Sequence, residues 1–365
     1  MIARTSRFGL AHLQNLSWTE PDFSPDLEMR MRRIAISLAA LLTCSISFTP
    51  AEADPITLKF SQFLGPTSFF QVDVVEPWAK ELEAKTNGKV KVEILDGTSP
   101  LGKVTEQAGN VKDGKVDIAL GLRGAEGDRF PGTSVIELPF VVPDALSGSK
   151  ALWGLYKDGT LADEYKDYKL LALFVHNPGL IHTRDKRVVN LDDIKGLRLR
   201  APNATIATAL KYVGAEPVVL QVNDVMPAVK DGRVDGIVTN WGNPLPGFND
   251  YMKFHTDTKF YTSVFFIVMN KEKYAALPAN IRAAIDSISG DVWVAKFGPY
   301  WDKWDKPVRD GANAPGHEVV VPDAATMAAW RAGLKPVADQ YLDQLAAKGF
   351  PKAHAAYDAL MTTLK

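Results

Sequence analysis

A short phrase occurs twice in this chain, and it constrains the fold more than any other feature. VKDGKVDIAL at 111–120 returns as VKDGRVDGIV at 229–238. In each copy a helical stretch runs into Asp-Gly, a basic residue follows, and an apolar strand pattern begins at Val-Asp. Coincidence in a common helix-to-strand turn is one explanation. The other is a pair of lobes with similar α/β topology, each built around its own sheet.

Strand and helix patterns alternate before and within the first copy. ITLKFSQ at 56–62 and KVKVEIL at 89–95 place apolar residues at every second position, as half-buried strands do. Val116–Leu120 is a continuous apolar run of the kind buried in a parallel sheet. A helix predicted from about Ser68 to Lys85 ends at Asn87-Gly88, a pair typical of helix C-termini. This alternation predicts a doubly wound sheet.

A long helix is predicted from Pro278 to about Pro307. Its aromatic stripe has helical spacing and is typical of packed core: Trp293, Phe297, Trp301 and Trp304. Pro299 is expected to kink or interrupt this helix. The predicted fold class is α/β with two lobes, each a sheet flanked by helices. Lobe I is expected to comprise residues 54–177 and 266–305, and lobe II residues 178–265 and 306–365.

The N-terminal region has the pattern of a secretory signal. Met31-Arg32-Arg33 precedes the apolar run IAISLAALLTCSISF, and Ala51-Glu52-Ala53 supplies an A-x-A cleavage pattern. We therefore expect cleavage after Ala53, a start at Met31 with residues 1–30 as an upstream extension, and export to the periplasm. The run is too short for a spanning helix. Cys44 lies within it after a threonine, which disfavours lipidation because a lipoprotein site prefers a smaller residue there.

Charge, cysteine content and motifs exclude several classes of protein. The chain has 42 Lys and Arg against 43 Asp and Glu, so it lacks the one-signed field that nucleic acid or an anionic membrane would attract. A single cysteine excludes an intrachain disulfide and a multi-cysteine metal site. The sequence contains no G-x-S-x-G, H-E-x-x-H, P-loop or G-x-G-x-x-G motif. An exported, two-lobed binding protein that closes on its ligand fits these limits.

The most informative motif is LDDIKGLRLRAPN at 191–203, which contains the predicted strand GLRLRAP. Arg198 and Arg200 are two residues apart, so both side chains are expected on one side of that strand. Pro202 ends the strand, and Asn203 is placed to cap the following helix. An arginine at a strand end beside a helix N-terminus suits a carboxylate, because a planar fork and free N–H groups meet there.

Together these segments resemble the periplasmic solute-binding subunit of TRAP (tripartite ATP-independent periplasmic) transporters, the DctP type, over nearly the whole expected mature chain. The matching landmarks are Phe130, Glu137-Leu138-Pro139-Phe140, Leu197–Asn203, Val234-Asp235-Gly236, Met269-Asn270-Lys271 and Leu277-Pro278. The resemblance implies two α/β lobes crossed by a long strut helix, a small organic acid bound between them, and TRAP membrane subunits as partners. It also implies that Arg200 clamps the ligand carboxylate, with Asn203 and Asn240 as polar contacts.

HNPGLIHT at 176–183 departs from the pattern of many sialate- and dicarboxylate-binding members, which carry a second arginine in this strand. Leu180 and Ile181 stand where that arginine would be, which disfavours a sialic acid or a C4-dicarboxylate. The segment resembles a family branch that pairs His-x-Pro-Gly-x-x-His-Thr with a tryptophan after the second strand, here Trp241. Some members hold a metal through a carboxylate near this tryptophan. Gly242 follows it here, so neither a metal nor a cofactor is expected.

The other candidate contacts are taken from their positions at strand ends. Leu122 ends the strand VDIALGL, and Arg123 follows it at the end that faces the crevice where open α/β sheets bind ligands. Phe63 lies just past the first strand. His182 is a further candidate, with a buried histidine bonded to backbone as its alternative role. The expected wall is apolar: Phe63, Leu120, Leu122, Leu180 and Trp241. It favours a monocarboxylate with an apolar or aromatic body, since each unpaired sugar hydroxyl would cost about 1–3 kcal/mol.

Some alternatives stay open at this point. Arg123, if it faces the cleft, would invite a second carboxylate and hence a dicarboxylate ligand. A separate alternative is a binding protein that presents its ligand to a sensor system rather than to a transporter. A periplasmic enzyme that acts on an organic acid is the remaining alternative. No nucleic-acid partner is expected, and the chain is expected to be a monomer.

Overall fold

The computed structural model describes residues 54–241, Leu245 and residues 247–364. The expected signal segment, its cleavage point, Cys44 and Gly242 all lie outside these residues. Among the described helices, none combines the length and apolar composition that a membrane crossing requires.

Strands and helices alternate along much of the described chain. The strands are β1 (Ile56–Ser61), β2 (Val90–Leu95), β3 (Ile118–Leu122), β4 (Tyr168–Val175), β5 (Gly179–Thr183), β6 (Arg198–Ala201), β7 (Glu216–Val219), β8 (Gly236–Thr239), β9 (Phe254–Tyr261), β10 (Val264–Asn270) and β11 (Glu318–Val320). The helices are α1 (Glu76–Lys85), α2 (Gln107–Lys112), α3 (Ala145–Lys157), α4 (Ala204–Tyr212), α5 (Val222–Lys230), α6 (Phe248–Tyr251), α7 (Lys271–Ala276), α8 (Ala279–Ser287), α9 (Asp291–Gly311), α10 (Ala324–Ala347) and α11 (Ala353–Thr363). A π-helical segment, Phe70–Val75, leads into α1, and short 3₁₀ segments cover Arg123–Ala125, Gly132–Glu137, Ala162–Tyr165 and Leu191–Ile194.

Two sheets organise these elements. The first has the strand order β2-β1-β3-β10-β4, and the second has the order β11-β9-β5-β8-β6-β7. β1 pairs in parallel with β2 and β3, as the sequence predicts, whereas β10 is antiparallel to both of its neighbours. The chain passes between the sheets at residues 176–178 and 262–263. The predicted α/β class, with two sheets flanked by helices, is confirmed, although β10 already starts at Val264 rather than at the expected residue 266.

The repeated phrase adopts the same hydrogen bonding in both sheets. The backbone N–H of Asp117 donates to the carbonyl of Lys59 at 3.0 Å, and the Lys59 N–H donates to the Asp117 carboxylate at 2.8 Å. The corresponding bonds between Asp235 and Arg198 measure 2.8 and 2.9 Å. Each aspartate therefore fixes the start of its strand to the neighbouring strand. The two copies of the phrase therefore match in local structure as well as in sequence.

The aromatic helix differs from its prediction at both ends. The stretch predicted as one helix forms α8 and α9, which are separated at Gly290, where φ is 64°. A residue with a Cβ rarely adopts that conformation. α9 runs unbroken through Pro299 and continues past Pro307, so the expected interruption does not occur. The aromatic stripe is buried against the first sheet, and Val308 near the helix end packs against the second, so α9 is the long helix that spans both.

The C-terminal helices correct the expected assignment of residues 306–365 to lobe II. The first half of α10 buries Trp330 and Leu334 in the core of the second sheet. Its second half buries Leu342 and Leu345 in the core of the first sheet, and α11 packs there as well. The apolar face of α10 is long enough to reach both cores, and the chain that follows stays with the first.

Candidate functional site

A cavity lies between the two sheets, with about 500 Å³ of empty space that is partly open to solvent. Strand ends from both sheets, the π-helical segment, the two crossings and α9 contribute its lining. The apolar and aromatic lining residues are Phe63, Leu64, Phe69, Phe70, Leu122, Pro202, Val222, Tyr261, Phe265 and Trp301. The polar lining residues are His176, Arg200, Thr239, Asn240 and Ser263. Of the residues expected from the sequence, Phe63, Leu122, Arg200 and Asn240 thus meet in one cavity.

Arg200 is the cationic centre of this cavity. It is 4% exposed, its Nε donates to the carbonyl of Leu220 at 3.0 Å, and its Nη1 donates to the carbonyl of Val238 at 3.1 Å. Burial lowers its pKa below the ordinary value, while its contact with Tyr261 acts in the opposite direction. Among the described residues no carboxylate pairs with it, although a guanidinium stays charged even here. A buried cation held by neutral carbonyls is suited to an anionic ligand.

Arg198, its neighbour on the same strand, has a different role. Its side chain is 43% exposed, and its Nε donates to the Asp235 carboxylate at 3.1 Å. This pair lies at the start of β6, where the repeat joins the two strands, and Arg198 does not line the cavity. The strand therefore presents one arginine to the cavity.

His176 lies beside Arg200 and is neutral. The backbone N–H of Ser263 donates to its Nε2 at 2.9 Å, so the ring proton is on Nδ1, which faces the carbonyl of Asn177 at 2.5 Å. Burial, helped by the charge of Arg200, lowers its pKa to about 4. His176 begins the segment HNPGLIHT but was not among the contacts expected from the sequence. The signal was its position directly after the buried strand β4.

The aromatic wall of the cavity comes from residues within two segments that the sequence predicts as helices. Phe69 stands 4.2 Å from Trp304 between ring centroids, and Phe70 meets Phe265 and Trp301 edge-on at 5.2 and 5.8 Å. The Trp304 Nε1–H donates to the carboxylate of Asp73 at 2.7 Å, which fixes the π-helical segment to α9. The consecutive pair Phe69-Phe70 was the available signal. A regular helix turns consecutive side chains apart, so no helical pattern predicts that both line one cavity.

Tyr261 adds a hydroxyl to the cavity. This hydroxyl lies 3.4 Å from the carbonyl of Val238, the same carbonyl that Arg200 contacts. Burial raises the pKa of Tyr261 to about 12. The group therefore keeps its proton at neutral pH and remains a hydrogen-bond donor.

Asn240 is oriented by α9. Its Nδ2 donates to Oδ1 of Asp305 at 3.2 Å, and Nδ2 of Asn177 donates to Oδ2 of the same carboxylate at 2.8 Å. Asp305 is 2% exposed. Asn240 is thus held at the cavity by the helix that spans both sheets.

Asn203 and Arg123 lie outside the cavity lining, contrary to expectation. The Oδ1 of Asn203 accepts from the Ile206 N–H at 2.9 Å and caps α4, while its Nδ2 is 3.5 Å from Oε2 of Glu137. The Nη2 of Arg123 lies 2.7 Å from the same oxygen, and both side chains of this pair are buried. Burial opposes the charge of Arg123, but the Glu137 carboxylate outweighs it and raises the pKa of the guanidinium. A buried arginine that is already paired with a carboxylate of the protein is not placed to bind a second carboxylate of the ligand.

Trp241, Leu180, His182 and Leu120 also lie away from the lining. Trp241 packs with Leu180 in a small separate cluster, and its ring meets that of His182 at 5.1 Å. His182 is bonded to the carbonyl of Thr239 at 3.2 Å, and Leu120 belongs to the core of the first sheet. Leu180 and His182 are two residues apart on β5, so their side chains point to the same face of that sheet, and neither lines the cavity. Within the described residues, no three His, Cys, Asp or Glu side chains converge as ligands of one metal ion.

Comparison with known proteins gives consistent matches over most of the chain. The family model for bacterial extracellular solute-binding proteins, family 7 (DctP), matches residues 60–344. The outer membrane transporter protein TsaT of Comamonas testosteroni is 27% identical over 327 residues, which make up 88% of this chain and 95% of that protein.

Solved structures match equally broadly. A TRAP solute-binding protein from Rhodoferax ferrireducens T118, crystallised with copurified benzoate, is 28% identical with a TM-score of 0.78, over 85% of this chain and 97% of that one. A marine metagenome TRAP solute-binding protein specific for aromatic acid ligands, solved with 3-hydroxybenzoate, is 30% identical with a TM-score of 0.80, over 86% and 98% of the two chains.

Proposed function

Because the chain belongs to family 7 of the bacterial extracellular solute-binding proteins, the DctP family, we propose that it captures an organic acid in the periplasm and delivers it to a TRAP-type membrane transporter. The ligand is a monocarboxylate with an aromatic or compact apolar body. Its carboxylate pairs with Arg200, and its body lies against Phe69, Phe70 and Trp301.

The observation that carries this proposal is that Arg200 is buried and has no carboxylate partner among the described residues. A buried charge without a partner costs several kcal/mol, and a carboxylate in fork geometry offsets that cost. Because Nε and Nη1 are bonded to carbonyls, the guanidinium is held in one orientation before the ligand arrives. Pre-organisation of this kind lowers the entropy lost on binding.

The charge count around the cavity favours one carboxylate rather than two. Among the described lining residues Arg200 is the one with a positive charge at neutral pH, because burial keeps His176 neutral. A second carboxylate would be buried without a cation. The hydroxyls of a sugar acid would face phenylalanine and tryptophan rings, where each unpaired hydroxyl costs about 1–3 kcal/mol.

An aromatic body suits the remaining lining. Ring pairs contribute about 0.5–1.5 kcal/mol beyond the burial of their area. Benzoate and 3-hydroxybenzoate are the ligands of the two similar proteins described above, and their chemistry agrees with the wall formed here by Phe69, Phe70 and Trp301. The bound acid is released unchanged, since the family consists of solute-binding proteins.

A ligand screen tests this proposal. Thermal shift and calorimetry would compare benzoate, 3-hydroxybenzoate, a short aliphatic monocarboxylate, succinate and glucuronate, because a ligand that binds the folded state raises its stability. We expect the aromatic monocarboxylates to bind most tightly, with one molecule per chain and full recovery of intact acid by mass spectrometry. Binding confined to succinate or glucuronate would contradict the monocarboxylate assignment, and turnover of the acid would contradict a transport role.

A further inference from the structure

A row of three histidines crosses the second sheet next to the cavity but outside its lining. His182 on β5 and His255 on β9 are fully buried, and His317, just before β11, is partly exposed. The Nδ1 atoms of His182 and His255 are 2.9 Å apart, and Nε2 of His255 is 3.4 Å from Nδ1 of His317. At the inner end, Nε2 of His182 is 3.2 Å from the carbonyl oxygen of Thr239.

The inner end fixes the proton positions along the whole row. A carbonyl only accepts, so Nε2 of His182 carries the proton and its Nδ1 is the acceptor for His255. His255 must then carry its proton on Nδ1, which leaves its Nε2 to accept from Nδ1 of His317. The three rings therefore form a one-directional chain of donors that ends on Thr239.

Thr239 connects this chain to the ligand cavity. It lines the cavity together with the following residue, Asn240. The carbonyl just before it, that of Val238, accepts from Nη1 of Arg200. Two consecutive carbonyls at the end of β8 are therefore held from different directions, one by the carboxylate-binding arginine and the other by His182.

We propose that His182, backed by His255, is a positioning residue for the ligand site. It holds the peptide bond between Thr239 and Asn240 in place. It thereby fixes the position of the Val238 carbonyl, which accepts from Arg200, and of the Asn240 side-chain amide, which lines the cavity. This inference rests on the proposed function of the cavity. It assigns His182 a role through the backbone rather than contact with the ligand.

The row of three histidines also makes ligand binding sensitive to acid. Burial lowers the pKa of His182 well below its ordinary value and that of His255 to about 4. The charged groups near the row are Lys253, which disfavours a proton on His255, and Glu318, which follows His317 and pairs with Arg187. The other faces are covered by the rings of Trp241 and Phe248. A proton added to His182 goes to its Nδ1, which faces the Nδ1–H of His255, and a proton added to His255 goes to its Nε2, which faces the Nδ1–H of His317. In either case a hydrogen bond between two rings of the row is lost.

Two substitutions at one position separate this role from simple packing. His182→Gln keeps an N–H donor at the reach of Nε2, so it can still bond to Thr239. His182→Asn places its amide at the reach of Nδ1 and leaves that carbonyl without the bond. His354→Gln is the matched control, because His354 is exposed on α11 and bonded to Asp343.

The experiment measures benzoate affinity by calorimetry at neutral pH and the side-chain nitrogen NMR signals of the ligand-free protein. We expect His182→Asn to weaken benzoate binding at least fivefold and to shift the Arg200 Nε and Asn240 Nδ2 signals. His182→Gln should weaken it less than twofold, and His354→Gln should change neither measurement. Normal benzoate affinity and unmoved signals in His182→Asn would overturn the proposal.

The intact protein gives a second test that needs neither a variant nor a ligand. Imidazole nitrogen spectra should show the proton on Nε2 of His182 and on Nδ1 of His255, and acidification should move the Arg200 signal together with these rings. Another set of tautomers, or an Arg200 signal that ignores the titration, would refute the inference. If the wild-type protein fails to bind any aromatic acid, the proposed function fails, while these spectra still decide the positioning role.

Discussion

The amide nitrogen of Asn240 lies 3.2 Å from Oδ1 of Asp305 and joins the floor of the cavity to the helix that spans both sheets. The other oxygen of that carboxylate accepts from Asn177, at the first crossing between the sheets. One buried carboxylate thus holds a strand end of the second sheet and a crossing to a helix packed on the first sheet. A ligand that contacts Asn240 therefore contacts the connection between the two halves.

The first prediction concerns this connection. Asp305→Asn removes one of the acceptors shared by Asn177 and Asn240, so an amide donor is left without its partner in a buried site. We expect a loss of about 1–3 kcal/mol in the free energy of unfolding. Asp302→Asn is the control, because Asp302 is exposed and accepts from the same Asn177 amide at 3.1 Å. Denaturant unfolding of both variants measures the difference, and equal losses would argue against a special role for Asp305.

Arg200 is predicted to dominate ligand affinity. Loss of one member of a buried charge pair typically costs about 2–5 kcal/mol, so Arg200→Ala should weaken benzoate binding at least tenfold. Arg200→Lys should restore little, because an ammonium lacks the planar fork and cannot keep the bonds to both Leu220 and Val238. Arg198→Ala is the control on the same strand. Near-native affinity of Arg200→Ala in calorimetry would remove Arg200 from the site.

The aromatic wall should set the preference for ring-bearing acids. Phe69 is partly buried and lines the cavity, whereas Trp241 is buried behind it. Phe69→Leu is therefore expected to weaken benzoate by about 0.5–1.5 kcal/mol while leaving a short aliphatic acid nearly unchanged. Trp241→Phe should affect both acids alike. A selective loss of benzoate affinity in Trp241→Phe would instead return Trp241 to the ligand wall expected from the sequence.

These cases show how far the sequence reaches. The position of Arg200 at a strand end before a helix was predictable, because a strand, a proline and a helix cap fix it locally. Its role toward a ligand came from the family resemblance and stays a prediction. The positions of Trp241 and Arg123 were not predictable, since the face that each residue presents depends on partners distant in the chain: His182 for the first and Glu137 for the second. The same limit explains the helices. Apolar spacing predicted the stripe on α9, but the core that receives the end of α10 depends on how the two sheets pack.

His176 should contribute to a fall in stability with acid, as should His182 and His255, because burial lowers the pKa of all three. The folded-state pKa of His176, about 4, lies below the ordinary 6.5, so the folded protein resists protonation more than the unfolded chain does. The stabilisation is complete above pH 6.5 and is lost as the pH falls toward 4, by about 3 kcal/mol for this residue. His176→Gln keeps an acceptor for the Ser263 N–H and cannot titrate, so its unfolding free energy should fall less between these values. His354→Gln should follow the wild type, and an equal slope in His176→Gln would assign the acid sensitivity elsewhere.

Arg123 provides the sharpest distinction between the two ligand classes. If Arg123 faced the ligand, Arg123→Met would abolish binding of a dicarboxylate and leave a monocarboxylate unaffected. The structure instead pairs it with Glu137, whose other oxygen accepts from the Val264 N–H at 3.0 Å. Breaking a buried pair on one side typically costs about 3–5 kcal/mol, so Arg123→Met should lower the unfolding free energy by that amount and leave benzoate affinity nearly unchanged.

Adding Glu137→Gln removes the unpaired charge but keeps an acceptor for the Val264 N–H, and should recover most of the stability. Thermal unfolding and calorimetry on the single and double variants check this, and a loss of ligand affinity without a loss of stability would place Arg123 in the ligand site after all.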